Sequence, residues 1–338
     1  MRKLLNTLYI TTPNAYLCKE GLNLVIRVDN EETFRIPVHN LEAVVTFSYN
    51  GASPGAMLLC LQNHVALTFL SPNGHFIGHL VGETYGNVLL RKTQYRIADD
   101  EAISLNLSRN IIATKISNSK YVLERYIRDY GFNADISEAC LHLKNAQSNA
   151  LKTESIASLR GIEGDAASCY FNVFGQIIRN PTFNFHGRNK RPPKDPVNAM
   201  LSFCYSLLSH EVQAALETVG LDPYVGFMHR DRPGRPSLAL DIMEDLRSYI
   251  SDRFVVTLIN RGQITEKDFV IQSNISYVMT DNARKKIITA WQKRKKDTIT
   301  HPFPGEKIPF GLIPYAQAML LSRYIRGDLE NYPTFFAK

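Results

Sequence analysis

Over residues 7–81 apolar and polar positions alternate in short runs, TLYIT, AYLCKE, LNLVIRV, TFRIPV, AVVTF, VALTFL and HFIGHLV, separated by turn formers such as Pro13-Asn14 and Asp29-Asn30. Alternation at period two between turns predicts antiparallel strands. PGAMLLCLQN, from Pro54, breaks the pattern. It reads as a helix with proline in its first turn, where a missing N–H costs nothing. Around Gly82 to Gly86 the period changes to that of helices. The first long stripe, over 99–130, holds Ile111, Ile112, Lys115, Ile116, Val122, Leu123, Tyr126 and Ile127. Further helices are predicted over 135–149, 153–180, 195–219, 237–251, 281–296 and 313–326. FVIQSNISYVMT, inside 269–280, predicts a small hairpin. The expectation is an α+β chain of two domains: an N-terminal antiparallel β-domain with one helix (1–82), a linker and first helix (83–98), and an all-α C-terminal domain (99–338).

Composition narrows the partners. The chain has 338 residues, 44% of them hydrophobic, enough for two substantial cores. Lys and Arg outnumber Asp and Glu by 39 to 32, a net charge of +7. The isoelectric point, about 9.1, favours polyanionic partners without reaching a histone-like excess. Cys18, Cys60, Cys140, Cys169 and Cys204 stand singly with no C-x-x-C pair, so neither a zinc site nor a disulfide framework is expected, and a reducing cytoplasm is. The MRKLL start resembles a leader, but Asn6, Thr7, Thr11 and Thr12 interrupt it. No cleavable leader or membrane span is expected.

The densest chemistry lies in HRDRPGRPSLALDIMED, from His229 to Asp245. Ser237 is placed to cap a helix whose apolar stripe is Leu238, Ile242, Leu246 and Tyr249. Asp241 and Glu244, three apart, share one side of that helix, and the Pro233, Gly234 and Pro236 turn can fold His229 back over them. Imidazole with hard carboxylate oxygens suits a divalent ion of the Mg or Mn type. The plain alternative is an acidic first turn complementing the helix dipole.

Glu163 falls where the stripe Ile156, Leu159, Ala167, Tyr170, Phe174 and Ile177 calls for a buried hydrophobe, between Gly161 and Gly164. An inward carboxylate needs a compensating cation: a metal, or an arginine such as Arg160 or Arg179. The two glycines weaken a helix by roughly 1 kcal/mol each and are tolerable if something bulky approaches the backbone. The basic loop Arg188, Lys190, Arg191 and Lys194 precedes a helix bearing Asn198 and Tyr205. It reads either as a cradle for a phosphodiester or as a solvated loop. His186 sits in that loop, and the remaining histidines lack an acidic neighbour at ligand spacing and read as structural. On ARKKIITAWQKRKK, Lys285, Lys286, Lys293 and Arg294 surround Trp291, which reads as a solvated face or as a phosphate-contacting one.

Taken together, LRGIEGDAASCYF, RPPKDPVNAMLSFCYSLL and GFMHRDRPGR with LALDIMED resemble, over nearly the whole chain, the CRISPR-associated adaptation integrase and endonuclease family, "Cas one", of the subtype I-C kind. The resemblance implies that Glu163, His229 and Glu244 hold one Mg2+ or Mn2+ ion, with Asp241 as an additional acid and Asn198 and Tyr205 in support. The choice between Asp241 and Glu244 as direct ligand stays open, since many relatives carry aspartate where this chain has Glu244. It also implies a homodimer formed through the β-domains and a heterohexamer with a dimer of the small "Cas two" partner. The implied activity is insertion of short foreign DNA into a CRISPR array by 3′-hydroxyl transesterification. Arg232 and Arg235 are then candidates to neutralise phosphoryl charge. Two other readings remain: a transposon-type integrase, and a non-catalytic DNA-binding scaffold of the same fold.

Overall fold

The computed structural model describes residues 7–41, 43–71, 76–80, 82, 88–229, 231–272 and 276–337. The start of the chain, most of the expected boundary at 82–86, Arg230 and the hairpin turn at 273–275 lie outside them. The chain divides into two compact units. The first comprises 1–85 with 279–297 and 309–312, and the second the remainder. The basic segment 281–296 therefore groups with the N-terminal unit, although the sequence places it in the helical domain.

The first unit holds β1 (Thr7–Ile10), β2 (Tyr16–Glu20), β3 (Asn23–Val28), β4 (Glu31–Pro37), β5 (Ala43–Thr46), α1 (Pro54–Gln62), β6 (Ala66–Leu70) and β7 (Phe76–His79). β2, β3 and β4 form an antiparallel sheet, as alternation predicts. The other sheet runs β1-β5-β6-β7, and there the expectation needs correcting: β1 pairs with β5, and β5 with β6, in parallel. The physical reason is a crossover that alternation cannot reveal: α1 carries the chain back to the start of the sheet between β5 and β6, and the β2–β4 segment does so between β1 and β5. Ser53 caps α1 by accepting from the Ala56 amide. Leu17, Leu24, Val44, Leu59 and Leu67 meet in the core of this unit.

The second unit is the helical one that the periodicity predicts. It contains α2 (Val88–Asp99), α3 (Glu101–Tyr130), α4 (Ala134–Lys152), α5 (Ile156–Phe174), α6 (Pro196–Val219), α7 (Ser237–Arg247), α8 (Arg253–Asn260) and, beyond the first unit's α9 (Asp281–Lys295), α10 (Ile313–Ile325). Short strands β8 (Phe269–Gln272) and β9 (Ser276–Met279) pair where the hairpin was expected. Strands β10 (Thr298–Thr300) and β11 (Lys307–Pro309) have no counterpart in the sequence reading. Asp100, Asn133, Ser155 and Asp195 cap α3, α4, α5 and α6 through their side chains. α3 packs against α4, α5 and α7, so the three helices that bear the acidic residues and their counter-ion share one core.

Two expectations about α7 change. Ser237 is its first residue, not a cap: Pro236 precedes it without a side-chain cap, and the amides of Leu238 and Ala239 donate instead to the Pro223 carbonyl. The helix predicted to 251 ends at Arg247, and a π turn over Ser248–Asp252 joins it to α8. Such turns cluster at functional sites.

Candidate active site

Glu163 projects from the middle of α5 and is paired with Lys115 of α3, not with either expected arginine. Arg160 donates to the Met228 carbonyl, and Arg179 stacks over Tyr130 with its guanidinium carbon 4.2 Å from the ring centroid. The Lys115 ammonium also lies 2.7 Å from Glu244 Oε2. Two carboxylates from separate helices thus share one buried cation; Lys115 is 9% exposed. Glu244 Oε1 lies 2.7 Å from Arg247, one turn further along α7. Burial pushes the Glu244 carboxyl up, but Arg247, Lys115 and His229 outweigh it and hold the group down at about 2. Glu244 Oε2 meets Lys115 without the alignment of a hydrogen bond, which leaves it spare acceptor capacity.

Asp241, fully buried, points away from this pair into the loop before α7. Its Oδ2 accepts from the Phe227 and Met228 amides at 2.6 and 3.0 Å, and its Oδ1 from the His229 amide at 3.1 Å. His229 Nδ1 completes the set at 2.5 Å from Oδ1. A carboxylate accepts only, so Nδ1 is the protonated nitrogen and Nε2 is the one left for another ligand. The chain approaches closely here: a Cβ on Gly226 would lie 2.7 Å from Asp241 Oδ2 and 2.8 Å from the Ser237 carbonyl carbon. Arg160 ties the same loop to α5, one turn before Glu163. Asp241 and Glu244 share a helix but serve different neighbours, and only Glu244 joins Glu163.

A cavity of about 430 Å³ opens on Lys115 and Glu163, walled also by Gly164, Arg188, Tyr205 and Arg247. Arg188 is turned inward, donating to Asn198 Oδ1 at 2.7 Å and Ser202 Oγ at 3.0 Å. Asn198 is fully buried and holds the loop, donating to the Gly187 carbonyl and accepting from the Asn189 amide. Tyr205 donates to Asp252 Oδ1 at 2.6 Å, and the guanidinium carbons of Arg188 and Arg247 lie 5.3 and 4.9 Å from its ring centre. Tyr170 donates to the other Asp252 oxygen at 3.1 Å. Burial pushes the Asp252 carboxyl up to about 6 against those bonds and the two arginines. Lys190 lies at the cavity wall, while Arg191, Lys194 and Arg232 are exposed and Arg235 is half-buried. Lys285, Lys286, Lys293 and Arg294 sit on α9 around a buried Trp291, and Arg294 pairs with Asp297 at 2.8 Å.

Among the described residues no group of three or more His, Cys, Asp or Glu side chains is already gathered tightly enough to hold a metal ion. The donor set nevertheless fits one. Glu163 and Glu244 already converge on a cation, the lysine ammonium, and Glu244 keeps spare acceptor capacity. His229 lies near enough to act on the Glu244 carboxyl, and its Nε2 is not engaged by Asp241. Asp241 already accepts four hydrogen bonds and would have to give one up to hold an ion. Sequence reasoning missed Lys115, Arg247 and Asp252 as site residues, and it gave Arg160 a different partner. For Lys115 the signal was present: a lysine inside the apolar stripe Ile111, Ile112, Lys115 and Ile116 of α3.

The glycines flanking Glu163 differ from expectation as well. Apart from adjoining residues and the helix's own backbone, no described part of the protein lies within 4 Å of a Cβ built on Gly161 or Gly164, so this side of the helix is left bare. His142, read as structural, has an acidic neighbour on α5, with Nε2 2.7 Å from Asp165 Oδ2. All five cysteines are free thiols. No helix among the described residues is long and apolar enough to cross a membrane.

The model of the family "CRISPR associated protein Cas1" matches residues 8–293. A protein of Chlorobaculum tepidum named CRISPR-associated endonuclease Cas1 1 is 48% identical over 344 aligned residues, covering 99% of both chains. In three dimensions the chain is similar to a casposase bound to integration product, with a TM-score of 0.83 at 23% identity over 96% of this chain and 92% of that one. It is equally similar to a chain of a Cas6-RT-Cas1–Cas2 complex, at 0.83 and 21% identity, over 99% of this chain and 36% of that one. At such identities the two structures speak for the fold alone.

Proposed function

Because this chain belongs to the CRISPR-associated Cas1 family, we propose that it is a divalent-metal-dependent DNA endonuclease and integrase that inserts short fragments into a CRISPR array. One observation carries this reading: Glu163 and Glu244, from helices far apart in sequence, meet on a buried cation at the edge of a cationic cavity, with His229 held nearby. A Mg2+ or Mn2+ ion held by Glu163, His229 and Glu244 would supply Lewis-acid polarisation of the phosphodiester and stabilisation of the departing oxygen.

The chain's own residues do the rest. Asp241 fixes the His229 ring and its tautomer, the kind of supporting bond that orients a metal-ligating imidazole. Arg247 holds Glu244, Arg160 ties the His229 loop to α5, and Asn198 with Arg188 pins the loop at the cavity wall. Lys190, Arg191, Lys194, Arg232 and Arg235 supply positive charge for the DNA backbone. In the reaction a 3′-hydroxyl of the captured fragment attacks a phosphodiester of the target. One P–O bond forms as another breaks, and the target strand leaves with a free 3′-hydroxyl. Bond count is unchanged, so no high-energy cofactor is required and the same site runs the reverse reaction.

Assembly belongs to the same proposal. The chain would act as a homodimer, with a Cas2 dimer in a heterohexamer, in the prokaryotic cytoplasm of a subtype I-C system, and its fold is one that also occurs in a Cas6-RT-Cas1–Cas2 complex. The 48% identity to a CRISPR-associated endonuclease favours this over a transposon role, for which the casposase likeness speaks at the level of fold only. Strand transfer into a supercoiled leader-repeat plasmid, with Mn2+ or Mg2+, tests the reading. Glu163→Ala is expected to lose strand transfer at least a thousandfold while folding normally and binding DNA within about threefold of wild type. Full integration by the purified variant contradicts it.

A further inference from the structure

The cation that Glu163 and Glu244 share belongs to the protein itself, and that has a consequence for how a metal enters. Lys115 comes from α3, is nearly buried, and contacts both carboxylates at once. Two carboxylates brought together out of water repel each other and are held only by a counter-charge. In the metal-free protein Lys115 provides it, with Arg247 on the far oxygen of Glu244. A divalent ion bound by the same oxygens would need the place of the ammonium. Lysine suits such an exchange, being a compact charge on a flexible four-carbon stem that can withdraw without the backbone moving.

Once displaced, the ammonium stays on the wall of the cavity, together with Arg188, Lys190 and Arg247. Metal occupancy without DNA therefore leaves an uncompensated excess of positive charge in a partly desolvated space. A phosphodiester in the cavity relieves it. We propose, resting on the metal assignment above, that Lys115 is an internal counter-ion that competes with the divalent metal for Glu163 and Glu244 and so makes metal binding depend on bound DNA. The coupling is reciprocal: whatever DNA adds to metal affinity, metal adds to DNA affinity. The device would keep a nuclease centre unloaded until a strand is in place.

The test is the Mn2+ dissociation constant of the full-length protein at pH 8, by titration calorimetry or by the Mn2+ paramagnetic resonance signal, with and without a branched DNA duplex. Wild type is expected to bind Mn2+ at least tenfold more tightly with the duplex than without. Lys115→Met is expected to bind Mn2+ at least tenfold more tightly than wild type in the absence of DNA, and to gain less than threefold from DNA. Lys115→Gln, which keeps a polar end of similar reach, should behave the same way and covers the case in which the methionine variant folds poorly. Glu163→Ala separates the two levels of the argument. If it abolishes Mn2+ binding while both lysine variants bind no more tightly than wild type, the metal site stands and the counter-ion proposal is overturned. If it leaves Mn2+ binding unchanged, the metal assignment itself fails and takes the proposal with it.

Discussion

Asp241→Asn isolates the carboxylate that holds the loop at 226–229 together. Its two oxygens accept four bonds, from the amides of Phe227, Met228 and His229 and from the His229 ring. Asparagine keeps one acceptor oxygen and replaces the other with an NH2 donor. If the NH2 takes the Oδ2 place it faces the Phe227 and Met228 amides; if it takes the Oδ1 place it faces both donors of His229. Either way two bonds to a charged acceptor are lost and donor is set against donor in a fully buried site. At about 1.5–3 kcal/mol for each such bond, the expected loss is about 3–6 kcal/mol. Urea denaturation at pH 7.5 would report it as a lower midpoint with little change in slope. Mn2+ affinity should fall about 10- to 100-fold, since the ring is no longer held in one tautomer and direction. A variant that loses less than about 1 kcal/mol and binds Mn2+ like wild type would refute the assignment of Asp241 as anchor.

Two further predictions concern the cavity wall. Asp252 is pushed by burial from an ordinary 3.8 up to about 6, so between those values the folded protein keeps a proton that the unfolded chain gives up, and stability falls as pH rises through that window. Asp252→Asn should remove about 3 kcal/mol of that decline, read from denaturation at pH 4 and pH 7; an unchanged pH profile would show that the buried carboxyl is not protonated there. Gly164→Ala finds open space and a helix interior, so it should raise stability by up to about 1 kcal/mol, while strand transfer falls because a strand reaching Glu163 meets the added methyl. Equal activity in a stabilised variant would mean that the substrate does not approach that side of α5.

The helical half was legible because its apolar stripes are long, while the side-chain caps at Asp100 and Asn133 emerge only in the structure. The β-unit was legible strand by strand, from β1 to β7, but not in its pairing. Whether β5 and β6 run parallel depends on where α1 returns the chain, which no alternation encodes. Glu163 announced itself as a carboxylate in an apolar stripe. Its partner does so equally, a lysine in an apolar stripe, but nothing local shows that α3 and α5 face each other there. The separate duties of Asp241 and Glu244 were hidden for a similar reason. Both lie on one side of α7, and only the loop at 226–229, folding onto the first, decides which of them is spent on backbone amides. Ser237 carried a sound capping signal that was overridden by the Pro223 carbonyl, supplied from 14 residues upstream.

The central claim is that Glu163, Glu244 and His229 hold one divalent ion where Lys115 now stands. Anomalous scattering at the manganese edge, from crystals of the protein with Mn2+ and a branched duplex, locates that ion directly. A single strong peak is predicted, bounded by the two carboxylates and His229 Nε2, with the Lys115 amine drawn away toward the nearest phosphate. Manganese bound elsewhere, or none at this place with Lys115 still bridging Glu163 and Glu244, would contradict it.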